Sequence, residues 1–108
     1  ESLTGTWDVS YLPSGDKGVF ALRQSGTLLV GEYTLEGGWK GSLQGTFVGG
    51  KVLVHRIDSK LGRSSDLEGT LAPDGRTIRG TWQNFILSGG EPTSGQWVAR
   101  KRQEESEN

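Results

Sequence analysis

The sequence predicts an all-β protein: a single antiparallel up-and-down barrel of about eight short strands, with a β-sandwich as the alternative packing of the same strands. Three observations carry this reading. No window holds a sustained helical apolar period, because glycine, at 18 of 108 residues, interrupts every candidate. Turn-forming residues return at short, even spacing between alternating segments. A Gly-x-bulky triplet recurs as Gly5-Thr6-Trp7, Gly31-Glu32-Tyr33, Gly45-Thr46-Phe47, Gly69-Thr70-Leu71, Gly80-Thr81-Trp82 and Gly95-Gln96-Trp97.

The elements follow in order. A first strand at 5–11 ends in Pro13-Ser14-Gly15-Asp16, and a second at 18–25 turns at Ser25-Gly26 into a third at 27–35. Gly37-Gly38 leads to a fourth strand at 39–48, and Gly49-Gly50 to a fifth at 51–58. Lys60-Leu61-Gly62 precedes a sixth at 65–72, Pro73-Asp74-Gly75 a seventh at 76–85, and Gly89-Gly90-Glu91-Pro92 an eighth at 94–102. Gly-Gly and Asp-Gly supply the positive φ of tight hairpins, and connections this short can join only antiparallel neighbours. Closing the meander removes its two exposed edges.

Residues two apart in a strand share a face, so each Gly and its bulky partner point inward and the residue between them points to water. The parity gives an inner set of Trp7, Val9 and Tyr11; Leu29, Tyr33 and Leu35; Trp39, Leu43 and Phe47; Leu67 and Leu71; Ile78, Trp82 and Asn84; and Trp97 and Ala99. The second and fifth strands are ambiguous. Phe20 and Leu22 oppose Val19 and Ala21, and Leu53 and Ile57 oppose Val52 and Val54. Hydrophobic residues make up only 31% of the chain, but four Trp, three Phe and two Tyr can fill a narrow core.

The length fits one domain, with the barrel over 1–102 and a charged tail over 103–108 that has no apolar residue to bury and is expected to be disordered. Twelve basic and 13 acidic residues leave a net charge of −1, which predicts no nucleic-acid or anionic-membrane partner. No apolar run approaches the roughly 18 residues of a membrane span. The chain opens at Glu1, as expected of a processed product or an excised piece, and no residue pattern selects a compartment. With no Cys there are no disulfides, and the one His, His55, cannot build a zinc site or a nucleophile–base pair alone. Around it, Val54-His55-Arg56-Ile57-Asp58 alternates, and its polar members are expected to face water. Asp66, Glu68 and Asp74 lie in charged, turn-rich sequence that reads as solvated surface. The expectation is therefore a non-enzymatic domain with no metal and no cofactor.

Gly5-Thr6-Trp7 on the first strand, with Arg100 and Arg102 on the last, resembles the signature of the calycins, the lipocalins, fatty-acid-binding proteins and avidins. In those families the opening Trp packs against a basic side chain of the closing strand, a cation over a π face. Avidin and streptavidin are similar in further respects. Gly26-Thr27-Leu28 running into Gly31-Glu32-Tyr33 resembles their third strand, and Ile78-Arg79-Gly80-Thr81-Trp82 before Ser88-Gly89 their seventh. The resemblance implies barrel closure by Trp7 with Arg100 or Arg102, and a ligand-contacting Tyr33 and Trp82. The biotin ligand set is mostly not matched. Val9 and Leu35 stand where that family has Asn and Ser, and the closing strand from Ser94 to Arg102 has no Asp.

Two functions from different classes remain open. The first is a barrel that holds a small, mainly apolar molecule at an open end lined by Tyr33, Trp39, Trp82, Asn84 and Trp97, with the inner glycines providing room. The second is a filled barrel that serves as a protein-interaction, inhibitor or oligomerisation module, homo-oligomers included. It would work through outward Thr, Arg and Gln of the last two strands or through Phe85, Ile86 and Leu87.

Overall fold

The computed structural model describes residues 2–12, 15–36, 38, 40–58, 64–85 and 93–102, with backbone alone at 58, 84, 85 and 93. It contains β1 (Gly5–Leu12), β2 (Lys17–Ser25), β3 (Leu28–Leu35), β4 (Lys40–Val48), β5 (Lys51–Asp58), β6 (Ser64–Leu71), β7 (Thr77–Phe85) and β8 (Thr93–Lys101). Every strand bound lies within one residue of its expected position. The order is β1-β2-β3-β4-β5-β6-β7-β8, closed into a barrel by antiparallel pairing of β1 with β8. The sandwich alternative is thereby excluded. The expected tail over 103–108 lies outside the described residues, as do Ile86 and Leu87.

The hairpins form where the turn chemistry requires them. Between β4 and β5, Gly49 and Gly50 have φ of 60° and 83°, the two positive values of a turn whose twist matches that of the flanking strands. Between β6 and β7, the Arg76 backbone N–H donates to Asp74 Oδ1 at 2.8 Å and the Thr77 hydroxyl to Oδ2 at 3.1 Å. The backbone bond is the main cause that holds the Asp74 carboxyl below the ordinary carboxylate value. A carboxyl depressed in the folded state adds stability above its unfolded-state pKa and loses it as pH falls through the folded value. Asp74→Asn is therefore expected to melt below the parent near neutral pH, with the gap closing on acidification below the carboxylate range. An unchanged gap at about pH 2 would rule out a contribution from the charge.

The core fills from the inner parity. Trp7, Val9, Phe20, Leu22, Leu29, Tyr33, Leu43, Val52, Val54, Leu67, Ile78, Trp97 and Ala99 are buried. The two ambiguous strands are resolved by closure: Phe20 and Leu22 point in, and so do Val52 and Val54, which leaves Leu53 51% exposed. That register corrects the expectation that the polar members of β5 face water. Arg56 shares the parity of Val52 and Val54, points inward and is only 9% exposed. The physical reason is the period of two: once two valines are committed to the core, the residue two further on follows them. His55 does face out, with Nδ1 2.7 Å from Asp66 Oδ1.

Rings lie over bare backbone, as the Gly-x-bulky pattern suggested, but the glycine beneath a ring belongs to another strand. A Cβ on Gly95 of β8 would meet Trp82 of β7 at 2.8 Å, and one on Gly69 of β6 would meet Trp97 of β8 at 2.9 Å. The indole N–H groups reach inter-strand carbonyls. Trp82 Nε1 donates to Leu12 O and Gln96 O, and Trp97 Nε1 to Glu68 O and Thr81 O, all at 3.0–3.1 Å. One end of the barrel is capped by the segment before β1: Leu3 is fully buried, its carbonyl accepts from Trp7 Nε1 at 2.9 Å, and its N–H donates to Gln24 Oε1 at 2.8 Å.

Candidate functional site

The opposite end differs in chemistry. Here β1, β3, β5 and β7 finish, and the inner positions turn from aliphatic to polar and aromatic. Tyr11 is the last inner residue of β1, Tyr33 the second last of β3, Arg56 lies on β5, Ser65 is the first inner residue of β6, and Trp82 lies on β7. Ser65 is the register partner of Arg56 on one side and of Asn84 on the other.

Two glycines let the rings converge. A Cβ on Gly41, the β4 partner of Tyr33, would collide with the Tyr33 ring, so only bare backbone lets that ring lean across β4 towards β5. It arrives beneath Arg56, whose guanidinium carbon stands 4.9 Å from the Tyr33 ring centroid and 5.3 Å from that of Tyr11. On the other wall, Trp82 leans across Gly95 to meet Tyr11 edge-on, with centroids 6.4 Å apart and planes at 84°. The result is a buried cation between two phenol rings, with a serine hydroxyl on the adjoining strand.

The electrostatics of this cluster are costly. Taking a charge out of water costs several kcal/mol even after relaxation, and the two ring contacts return part of it, roughly 0.5–2 kcal/mol each. The Tyr33 hydroxyl is buried with no hydrogen-bond partner among the described residues. Ser65 is 2% exposed. A leucine or valine at these positions would bury more cheaply than hydroxyls and a charge.

The residues expected to line a site fall into different places. Tyr33 stands in the cluster and Trp82 forms its wall. Trp97 lies deeper, packed against Phe20 at 6.2 Å. Asn84 occupies the register position opposite Ser65, with its side chain outside the described atoms, and Trp39 lies outside the described residues. At the closed end, Trp7 is buried, Arg100 is exposed, and Arg102 donates from Nη2 to Asp8 Oδ1 at 2.6 Å. The register partner of Trp7 on β8 is Lys101, whose Nζ reaches Ser2 O at 3.3 Å. Arg56 and Ser65 were not anticipated as site residues. The signal for both was parity: Arg56 is two residues beyond Val54, and Ser65 two before Leu67. Among the described residues, no group of three or more His, Asp or Glu is gathered as a metal would require.

An eight-stranded meander closed first strand to last, with one end plugged and the other polar inside, defines the class: an up-and-down β-barrel, which shares its fold with solved avidin-type barrels. Among solved structures it is similar to bradavidin2 in complex with biotin, at a TM-score of 0.71 and 12% identity over 94% of this chain and 100% of that one. It is similar to apo shwanavidin, at 0.71 and 15% over 94% and 98%, and to rhizavidin in complex with biotin, at 0.69 and 15% over 98% and 100%. At these identities the likeness is one of fold. No family model matches the sequence. No curated protein matches it either.

Proposed function

We propose that this protein is a non-enzymatic binding protein whose barrel receives a small molecule at the end formed by Tyr11, Tyr33, Arg56, Ser65 and Trp82. The observation that carries the reading is the buried Tyr33 hydroxyl, set beside a buried arginine and lacking a hydrogen-bond partner among the described residues. Buried polar atoms are nearly always satisfied, so an orphan inside a barrel end is a place for a ligand atom. Bradavidin2 and rhizavidin, which share the fold, have been solved with biotin. Biotin is therefore a natural first ligand to try. Val9 is buried in the core and Leu35 packs against it, and neither can offer a side-chain hydrogen bond.

Intrinsic Trp fluorescence during titration with small molecules, biotin included, tests the proposal, because Trp82 walls the site. A ligand found this way should bind Tyr33→Phe about tenfold more weakly, the loss of one hydrogen bond. The unfolding free energy should change by less than about 1 kcal/mol, since the hydroxyl has no partner within the described fold. No response across the panel would favour the interaction-module reading. For that reading the relevant feature is the outer row of β3, β4 and β5, where Leu28 and Leu53, both more than half exposed, flank Thr46.

A further inference from the structure

We infer that the outer face of β3, β4 and β5 is an interface with a second copy of this chain, the two copies related by a two-fold axis that passes over Thr46. The inference concerns the outside of the barrel and is independent of the small-molecule site within it. Leu28 and Val30 of β3, Val48 of β4, and Leu53 and Ile57 of β5 all point outward, each 40–58% exposed. Among the described residues, the other exposed large hydrophobic side chain is Leu12 of β1. Single exposed leucines are ordinary, but a contiguous group on three adjacent strands marks a contact surface. Strand pairing makes the group contiguous. Leu28, Thr46 and Leu53 are register partners in one row, Val30 lies in the next row with Gln44, and Val48 lies on the other side of Thr46 along β4.

The size of the patch suits a dimer. At these exposures the five side chains offer on the order of 400 Å² of apolar surface. Each partner in a stable complex buries roughly 800 Å², a little over half of it apolar, so the patch supplies most of what is needed. The charges favour a second copy. Apart from Lys51 beside Val48, they lie at the margins, and both signs occur at each margin. Arg23 Nη2 stands 3.8 Å from Glu32 Oε2 on the β2–β3 side. On the β5–β6 side Lys51, Asp66 and Glu68 are near one another, with His55 Nδ1 2.7 Å from Asp66 Oδ1. A copy laid on this face meets no single-sign field to repel it. The position of the axis follows from the row: Leu28 and Leu53, both more than half exposed, stand one strand to either side of the half-buried Thr46. A two-fold between the faces and over the centre of the patch sets Thr46 against its own copy.

The experiment uses that self-contact. Sedimentation equilibrium of the full chain should show a dimer at micromolar concentrations. Thr46→Arg and Thr46→Glu should each weaken it on the order of a hundredfold, because a like charge then faces itself. An equal mixture of the two variants should restore the dimer, since opposite charges then meet. Leu12→Arg, which puts the same charge on an exposed leucine away from the face, should leave the dimer unchanged. Circular dichroism confirms that each variant is folded, and Thr46→Lys or Thr46→Asp replaces one that is not. A monomeric parent would overturn the inference. So would a dimer that survives both charges at position 46, a mixture that stays monomeric, or a dimer that Leu12→Arg dissolves.

Discussion

Trp7→Ala should lower the free energy of unfolding by about 3–5 kcal/mol, as large core truncations do. Trp7 is fully buried, at 0% exposure, where β1 meets Phe20 of β2 and Lys101 of β8. Its Nε1 holds the Leu3 carbonyl at 2.9 Å, and Leu3 is the plug of that barrel end. The substitution thus removes an indole, strands a carbonyl, and exposes the leucine it held. Against a total of roughly 5–15 kcal/mol for a domain of this kind, the loss is large. Urea unfolding followed by far-UV circular dichroism measures it. A change under about 1 kcal/mol would mean that the cap does not depend on Trp7.

A single added methyl should be nearly as damaging at Gly80, where Gly80→Ala is expected to cost on the order of 3 kcal/mol. The glycine faces Gly69 across the β6–β7 pair, and a Cβ there would fall on the Glu68 carbonyl oxygen and within 2.5 Å of the Gly69 Cα. These are backbone atoms, so the strands themselves would have to part. Glu68 O is also an acceptor for Trp97 Nε1, so the displacement would reach the ring that spans the two glycines. Gly26→Ala is the control. Gly26 has φ of 63° with nothing within 4 Å of an added Cβ, so its cost is only the left-handed backbone penalty of about 1–2 kcal/mol. Equal losses at the two positions, measured by the same urea titration, would refute the crowding argument.

The strands were legible because their determinants are local. Gly49-Gly50 and Pro73-Asp74-Gly75 can hardly be anything but turns, and between turns the period of two marks Trp7, Val9 and Tyr11 or Leu67 and Leu71 as one face. Part of the candidate site was legible for the same reason: Tyr33 and Trp82 each follow a Gly by two, and both stand at the polar end. The closing arginines were read from resemblance, and here Arg102 is engaged by Asp8 while Lys101 is the register partner of Trp7.

Local pattern ran out where both faces of a strand are apolar. In β5, Val52 and Val54 compete with Leu53 and Ile57, and no property of the segment ranks one pair above the other. The decision belongs to the neighbours. Pairing sets Val54 beside Gly45 and Leu67, and Val52 beside Phe47 and Gly69, all inner positions fixed by their own strands. The sequence by itself thus determined an eight-stranded antiparallel meander and most of its inner face, because turns and alternation act over a few residues. Only the closed barrel decided that Arg56 points inward, and only there do Gly41 and Gly95 let rings from β3 and β7 lean across neighbouring strands, so that Tyr33 and Tyr11 meet the guanidinium. Those contacts join residues up to 45 positions apart, from Tyr11 to Arg56, and no local preference spans that distance.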